Sequence, residues 1–293
     1  MFLCITSLGG KLVKKEEEEM NFIQGDKFID IADVTYASPS KSKDDYGKLR
    51  NSLHYTKFKD QDIIYTHTMY VDQLFKLIGN DQRRFTLVSH NSDVNVDESF
   101  KIPNNIIKWY AQNVCIKDDR IESIPIGLEN DRWFPNIGKK AKMLEKLHQS
   151  KSCRNWVYMN HNVKTNISKR LGVYRLLKDQ SWVTVEMRKN GDDFDRYLDN
   201  IYNHRFVICP EGNGTDTHRT WEVLYMGSIP IEKKNINNQF YRDLPICFVN
   251  YWEEINEEFL ESEYARIKER TWNMEMLDFD YWKNKIHGLD TGK

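Results

Sequence analysis

Short apolar runs rich in β-branched and aromatic residues alternate along this chain with stretches whose apolar positions recur every three or four residues. The first pattern suits strands buried on both faces and the second suits amphipathic helices, so their alternation predicts parallel sheets with helical crossovers. The predicted class is α/β. In the first half, strands are expected at 27–31, 62–65, 85–89, 113–115 and 121–125, with helices at 69–78 and 106–111. The second half gives strands at 155–159, 181–186, 205–209, 228–232 and 246–249, and helices at 166–178, 194–202 and 216–226. No repeat of fixed period is present.

The basic, polar stretch 135–151 separates these two series and reads as a linker with a flanking helix. Two domains are therefore expected, 1–134 and 135–269, a division that 293 residues accommodate. Beyond the last strand, 257–285 is highly charged but carries Phe259, Leu260, Tyr264, Ile267, Trp272, Met276, Leu277 and Phe279, several at helical spacing. One or two amphipathic helices should form there and bury that face.

The most informative stretch is 206–231, FVICPEGNGTDTHRTWEVLYMGSIPI. It reads as strand, glycine turn, helix, strand. Gly212 and Gly214 allow a tight turn and close backbone approach, Thr215 or Asp216 can cap the helix, and Gly227 can end it in the left-handed conformation. Free amides and the positive end of the helix dipole then sit at the carboxyl edge of the sheet, where open α/β folds bind anions. Diphosphate is the natural ligand. Arg219 and Glu222, three residues apart, share one helix face. They place a cation beside a diphosphate and a carboxylate within reach of a ribose diol; the plainer reading of such a pair is a surface ion pair on an ordinary helix.

The pattern P-x-G, R-x-x-E, G-x-I-P-I, carried by Pro210, Gly212, Arg219, Glu222, Gly227, Ile229, Pro230 and Ile231, resembles the donor-binding half of the exostosin-type glycosyltransferases. That family includes the short exostosin-like enzymes of large algal viruses. The likeness is specific over 206–231 and fainter over most of the second half. Ile124 and its neighbours in IPIGLEN resemble the strand and loop closing the family's first domain, and RDLPICFVNYWEEI, 242–255, its last donor-domain strand and helix. VYMNHNVKTNISKR, 157–170, resembles the first donor-domain strand and loop, which adds Asn160, Thr165 and Arg170 to a binding set of Pro210, Glu211, Gly212, Gly214, Thr217, Arg219 and Glu222. For those three, capping or a solvated surface role is the alternative.

The resemblance implies a GT-B fold, two Rossmann-like domains facing across a cleft, with 270–293 crossing back to the first domain. It implies an inverting transfer from a UDP-sugar, with xylose the leading guess, to a hydroxyl of a glycan acceptor. A carboxylate in the first half must then take the acceptor proton. Asp72 and Asp93, each after a strand and turn and accompanied by His67 and His90, are the candidates, with turn formation or capping as the alternative role.

Composition narrows the remaining classes. The 43 Lys and Arg nearly balance 44 Asp and Glu, so no global positive field draws the chain to nucleic acid. The 5 cysteines are odd in number and never in a C-x-x-C pair, which predicts neither a disulfide framework nor a structural zinc site and favours a reducing, cytoplasmic compartment. The opening MFLCITSL lacks a basic start and a cleavage site, so no signal peptide or membrane span is expected, and the charges at 14–19 read as a solvated tail.

Asp193-Phe-Asp195 has the form of a metal-holding D-x-D pair, as in a metal-dependent enzyme with one Rossmann domain, but it opens a predicted helix, where acidic residues also serve as caps. No essential metal and no cofactor beyond the donor substrate is expected. Trp109, Tyr110 and Trp133 are candidates for stacking on carbohydrate, while Trp221 and Tyr225 read as core. A nicotinamide-dependent oxidoreductase would need G-x-G-x-x-G after the first strand of a Rossmann unit, and it is missing. A sugar- or nucleotide-binding protein without catalysis is the reading from a different class.

Overall fold

The computed structural model describes residues 20–39, 49–51, 57–131, 138–149, 151, 153, 155–186 and 194–289. Among these, helices and parallel strands alternate in an α/β architecture of two separate, predominantly parallel sheets, compatible with two Rossmann-like units. The chain divides into a first-half unit, Asn21–Asn136 with Gly214–Asp216 and Asp278–Lys293, and a second-half unit, Met1–Met20 with Ile137–Asn213 and Thr217–Leu277. No described helix is long and apolar enough to cross a membrane.

The first-half unit contains α1 (Lys27–Asp30), β1 (Val34–Pro39), β2 (Leu49–Asn51), β3 (Ile63–His67), α2 (Val71–Ile78), β4 (Phe85–His90), β5 (Ile106–Ala111) and β6 (Ile121–Ser123). Its sheet runs β2-β1-β3-β4-β5-β6, with only β2 antiparallel to its neighbour. Burial of Val71, Leu74, Phe75 and Ile78 gives α2 the i, i+3, i+4, i+7 stripe of a helix lying on a sheet, with Asp72, Gln73 and Lys76 outward. The last helix, α8 (Phe279–Ile286), belongs to this unit. The Phe279 amide donates to the Asn21 carbonyl at 2.8 Å, the Phe279 ring meets Phe28 edge-on at 5.1 Å, and the Tyr110 hydroxyl donates to the Lys285 carbonyl at 3.2 Å.

The second-half unit contains α3 (Lys139–Leu147), β7 (Asn155–Met159), α4 (Ile167–Leu177), β8 (Val183–Val185), α5 (Phe194–Asn203), β9 (His204–Ile208), α6 (His218–Tyr225), β10 (Ile229–Lys233), β11 (Cys247–Val249) and α7 (Glu257–Glu269). Its strands are all parallel, in the order β11-β10-β9-β7-β8. The core joins Val157, Met159, Phe206, Ile208, Ile229 and Ile231 from the strands with Val173 and Leu177 of α4 and Leu260 and Ile267 of α7. Helix α6 is buried nearly all round, with Trp221 fully enclosed and edge-on to Tyr241 at 5.1 Å.

The second half follows the hydrophobic pattern closely; the first half departs from it in three places. Residues 27–31 form helix α1 rather than a strand, and the first strand is β1, further on. The KFIDI alternation imitates period 2, but the Lys27, Phe28 and Ile29 amides each bond the carbonyl three residues back. Residues 106–111 form strand β5, not a helix, because a sheet position between β4 and β6 decides an apolar run whose periodicity is ambiguous. The strand expected at 113–115 is absent: Asn113 is left-handed, with φ 60°, and Val114 makes only an isolated bridge to Val96.

Two glycines give opposite expectations. Gly127 has φ +65°, and a Cβ there would lie 2.3 Å from the Ile23 carbonyl oxygen, whereas Gly172 lies within α4 with nothing within 4 Å of an added Cβ. Gly172→Ala should raise stability by about 0.4–1 kcal/mol, while Gly127→Ala should lower it by more than ~1–2 kcal/mol, as strain and clash add. Denaturant midpoints of the two variants against the parent test this, and midpoints that move in the same direction would contradict it.

Candidate functional site

In the second-half unit the chain steps from β7 to β8 on one side, then returns past β7 to β9 and moves outward through β10 and β11. Neighbouring loops diverge where such an order reverses, so the crevice of an open parallel sheet lies at the carboxyl ends of β7 and β9. Asn160 and His161 follow β7, and Pro210, Glu211 and Gly212 follow β9 and lead into α6.

Arg219 stands in the first turn of α6. Its guanidinium donates to the Asn160 side-chain oxygen and lies over the Tyr197 ring, 5.5 Å from its centroid. Glu222, 8% exposed, accepts from the Tyr197 hydroxyl at 2.6 Å through Oε2. Among the described residues, Arg219 and Glu222 form no ion pair with each other or with any third residue. The surface-pair reading of the R-x-x-E spacing therefore fails: Tyr197 of α5 touches both residues, with its ring toward one and its hydroxyl toward the other. Burial, and then the Glu222 carboxylate, push the Tyr197 hydroxyl well above its ordinary pKa, so it remains a donor. Burial opposes the charge on Arg219, but Tyr197, Cys209 and Glu222 together hold the guanidinium above its ordinary value.

The surrounding loop is fixed by residues that spend their polar atoms on it. Arg170, 9% exposed, donates from Nε to the Glu211 carbonyl at 2.8 Å and from Nη1 to the Asn162 carbonyl at 3.0 Å. The Asn166 amide caps α4 and also donates to the Gly212 carbonyl at 2.7 Å. The Glu211 carboxylate is held by Lys169 at 2.8 Å and by the Asn235 amide at 3.0 Å. Arg170 and Glu211, expected as binding residues, thus hold the loop, and Thr165 is exposed. Asn160 is brought to Arg219, and Pro210 and Gly212 are buried.

Helix α6 begins later than the glycine turn suggests. Thr217 is its N-cap residue and makes no side-chain cap bond. Gly214, Thr215 and Asp216 belong to the first-half unit: the Asp216 amide donates to Asn113 Oδ1 at 2.8 Å, its Oδ2 accepts from the Ile126 amide at 2.8 Å, and a Cβ on Gly214 would lie 2.5 Å from the Asn113 side chain. Gly214 is small to admit Asn113, and Asp216 is spent on that unit rather than on capping. Gly227, with φ 70°, does end α6 in the left-handed conformation.

Three residues of this edge lay outside the residues singled out from sequence. Tyr197 has no motif around it. Glu186, after β8, accepts from Tyr158 at 2.7 Å and Asn200 at 3.0 Å and pairs with Arg196 at 2.5 Å; burial, then that hydrogen bond, raise the Tyr158 hydroxyl's pKa. His161, one residue past Asn160, is 3% exposed, and burial, then Arg219, bring its pKa down to about 4.

The expected bases lie in the first-half unit. Asp72 is exposed in the first turn of α2, and Asp93 is exposed in the loop after β4. His67 and His90 end β3 and β4 as register partners. His90 is occupied at both nitrogens, Nε2 by the Pro125 carbonyl at 3.0 Å and Nδ1 by the Asn91 amide at 2.7 Å, so it has no site left for a substrate proton. Trp109 is fully buried, donates to Ser89 at 2.9 Å and is core rather than a stacking surface; Trp133 lies outside the described residues.

Asp193 also lies outside the described residues, and Asp195 pairs with Lys142 at 2.9 Å. Among the described residues no cluster of three or more His, Cys, Asp or Glu could hold a metal ion, and the four described cysteines are free thiols. No protein-family model matches the chain. No curated protein sequence matches it either.

The depressed His161 pKa has a consequence for stability. The folded ring resists protonation down to pH about 4 while the unfolded one takes its proton near 6.5. Its stabilising share is therefore complete above pH 6.5 and is lost as pH falls toward 4. The loss amounts to roughly 3 kcal/mol at most. His161→Gln should flatten the pH dependence of the denaturation midpoint across that window, and an unchanged slope would show that His161 is not its source.

Proposed function

We propose that this chain is a nucleotide-sugar glycosyltransferase of the GT-B kind that moves a sugar from a UDP-sugar to a hydroxyl of a glycan acceptor. The observation that carries the reading is the unpaired state of Arg219 and Glu222 at a switch-point edge, with one Tyr197 holding both. A cation without a carboxylate at a helix N-terminus suits a diphosphate, and Glu222 Oε1, which makes no hydrogen bond among the described residues, suits a ribose diol. Arg219 and the first amides of α6 would stabilise the leaving UDP as its charge develops. UDP-xylose is the leading donor, the transfer inverts, Asp72 or Asp93 takes the acceptor proton, and no metal takes part.

Nucleotide-binding calorimetry tests the donor site. Arg219→Ala should weaken UDP binding by about 1.5–3 kcal/mol, the span of a charge-assisted hydrogen bond. Unchanged UDP affinity in a folded variant would sink the assignment. Nucleotide release from UDP-xylose should survive EDTA; complete loss on chelation, restored by manganese, would point to metal-dependent transfer instead.

A nucleotide-sugar-binding protein without catalysis is the second reading. Its support is that both candidate carboxylates are exposed and the His90 imidazole is fully occupied. Binding with no release in a screen of donors and acceptors would favour it.

A further inference from the structure

The Nε2 atom of His161 lies 3.2 Å from the Arg170 carbonyl oxygen. A carbonyl only accepts, so Nε2 carries the proton, and the neutral ring leaves a bare lone pair on Nδ1. That Nδ1 is buried, and among the described residues nothing donates to it. Buried acceptors in folded proteins nearly always find a donor in the chain, a water or a ligand, so this one is open to a group from outside the chain.

The surroundings say what kind of group. His161 follows Asn160, whose side-chain oxygen takes the Arg219 guanidinium, so the open acceptor belongs to the same edge as the unpaired cation. Burial, and then the positive charge of Arg219 with a smaller share from Arg170, keeps the ring from protonating, so it can accept but not donate at Nδ1. A diphosphate offers only acceptors and cannot satisfy it. A hydroxyl can. We propose that His161 Nδ1 accepts a hydrogen bond from a hydroxyl of the bound nucleotide sugar and so makes the site selective for a ligand carrying that hydroxyl. The inference rests on the donor-site reading above and adds to it a specificity-determining residue on β7's carboxyl end.

Two substitutions separate the two ring nitrogens. His161→Gln keeps an amide N–H at the Nε2 position for the Arg170 carbonyl and removes the Nδ1 acceptor, whereas His161→Asn keeps an acceptor near Nδ1 and gives up the bond to Arg170. UDP and UDP-xylose binding is measured by calorimetry for the parent protein and both variants. His161→Gln should weaken binding about three- to ten-fold, the span of a neutral hydrogen bond, and His161→Asn should lose less. A loss already present with UDP places the donor in the nucleoside, with retention of the loss for 2′,3′-dideoxy-UDP pointing to the uracil N–H and overturning the hydroxyl assignment, and a loss confined to UDP-xylose assigns a hydroxyl of the transferred sugar. Parent-like affinity of His161→Gln for both ligands overturns the proposal while leaving the donor site standing. Failure of the parent protein to bind either ligand overturns both. Should His161→Gln not fold, the ¹⁵Nδ1 resonance of His161 in the parent protein replaces it: UDP-xylose must shift that signal, and an unmoved resonance in a protein that binds the ligand means that Nδ1 serves only a buried water.

Discussion

In a parallel sheet, the place where the strand order turns back on itself is the one place where adjacent loops are carried apart. In the second-half unit that place is the β7–β9 boundary, because β7 pairs with β8 on one side and β9 on the other. The features that suggest chemistry there follow from it. Asn160 and His161 leave one strand, the Pro210–Glu211–Gly212 loop leaves the next, and α6 starts with its amides toward the same edge. The first-half sheet turns back in the same way, at the β1–β3 boundary, but there the strand on the far side, β2, runs antiparallel to β1.

At Arg219 and Glu222 the second-half unit limits stray pairing with aromatic and amide groups rather than with opposite charge. Tyr197 is the central piece. Had Arg219 and Glu222 closed on each other, the cation would have been lost to any anion. The Tyr197 ring offers Arg219 a weak partner, on the order of 0.5–1 kcal/mol, and its hydroxyl anchors Glu222 through one oxygen only. Both charges stay oriented while each keeps capacity for a ligand. Arg170 and Asn166 do the complementary task for the loops, satisfying the carbonyls of Glu211, Asn162 and Gly212.

How much of this was legible in the sequence differs between the halves for a physical reason. Second-half strands are apolar runs bounded by clear breaks, and their helices carry caps such as Asn166 or stops such as Gly227, so pattern and fold agree. In the first half, KFIDI and IIKWYA fit two periodicities at once, and only sheet neighbours and three-residue backbone bonds decide between them. Arg219 and Glu222 were visible because their spacing within one helix fixes their common face. Tyr197 and His161 were not, since each acts across elements: one reaches from α5 to α6, and the other is defined by the carbonyl it meets on α4. Glycine and aspartate in the turn were misassigned for the same reason, because Gly214 and Asp216 answer to Asn113 and Ile126, about ninety to a hundred residues earlier in the chain.

The division of roles between Arg170 and Arg219 shows how similar residues at one sheet edge come to differ. Arg170 lies where loop carbonyls converge, and a guanidinium's fixed fork of donors makes it the best available filler for such acceptors. Arg219 lies one strand over, against an aromatic face and a single amide oxygen, which cannot use all of its donors. His161 takes the backbone carbonyl of the first arginine and lies within the electrostatic reach of both. Its tautomer is thus set by the structural arginine's backbone, and its neutrality by burial and the two positive charges, which turns an imidazole that would otherwise titrate near neutrality into a fixed acceptor. On the proposed reading, such a site offers donors from one arginine and a lone pair from one histidine to a ligand that combines an anion with a hydroxyl.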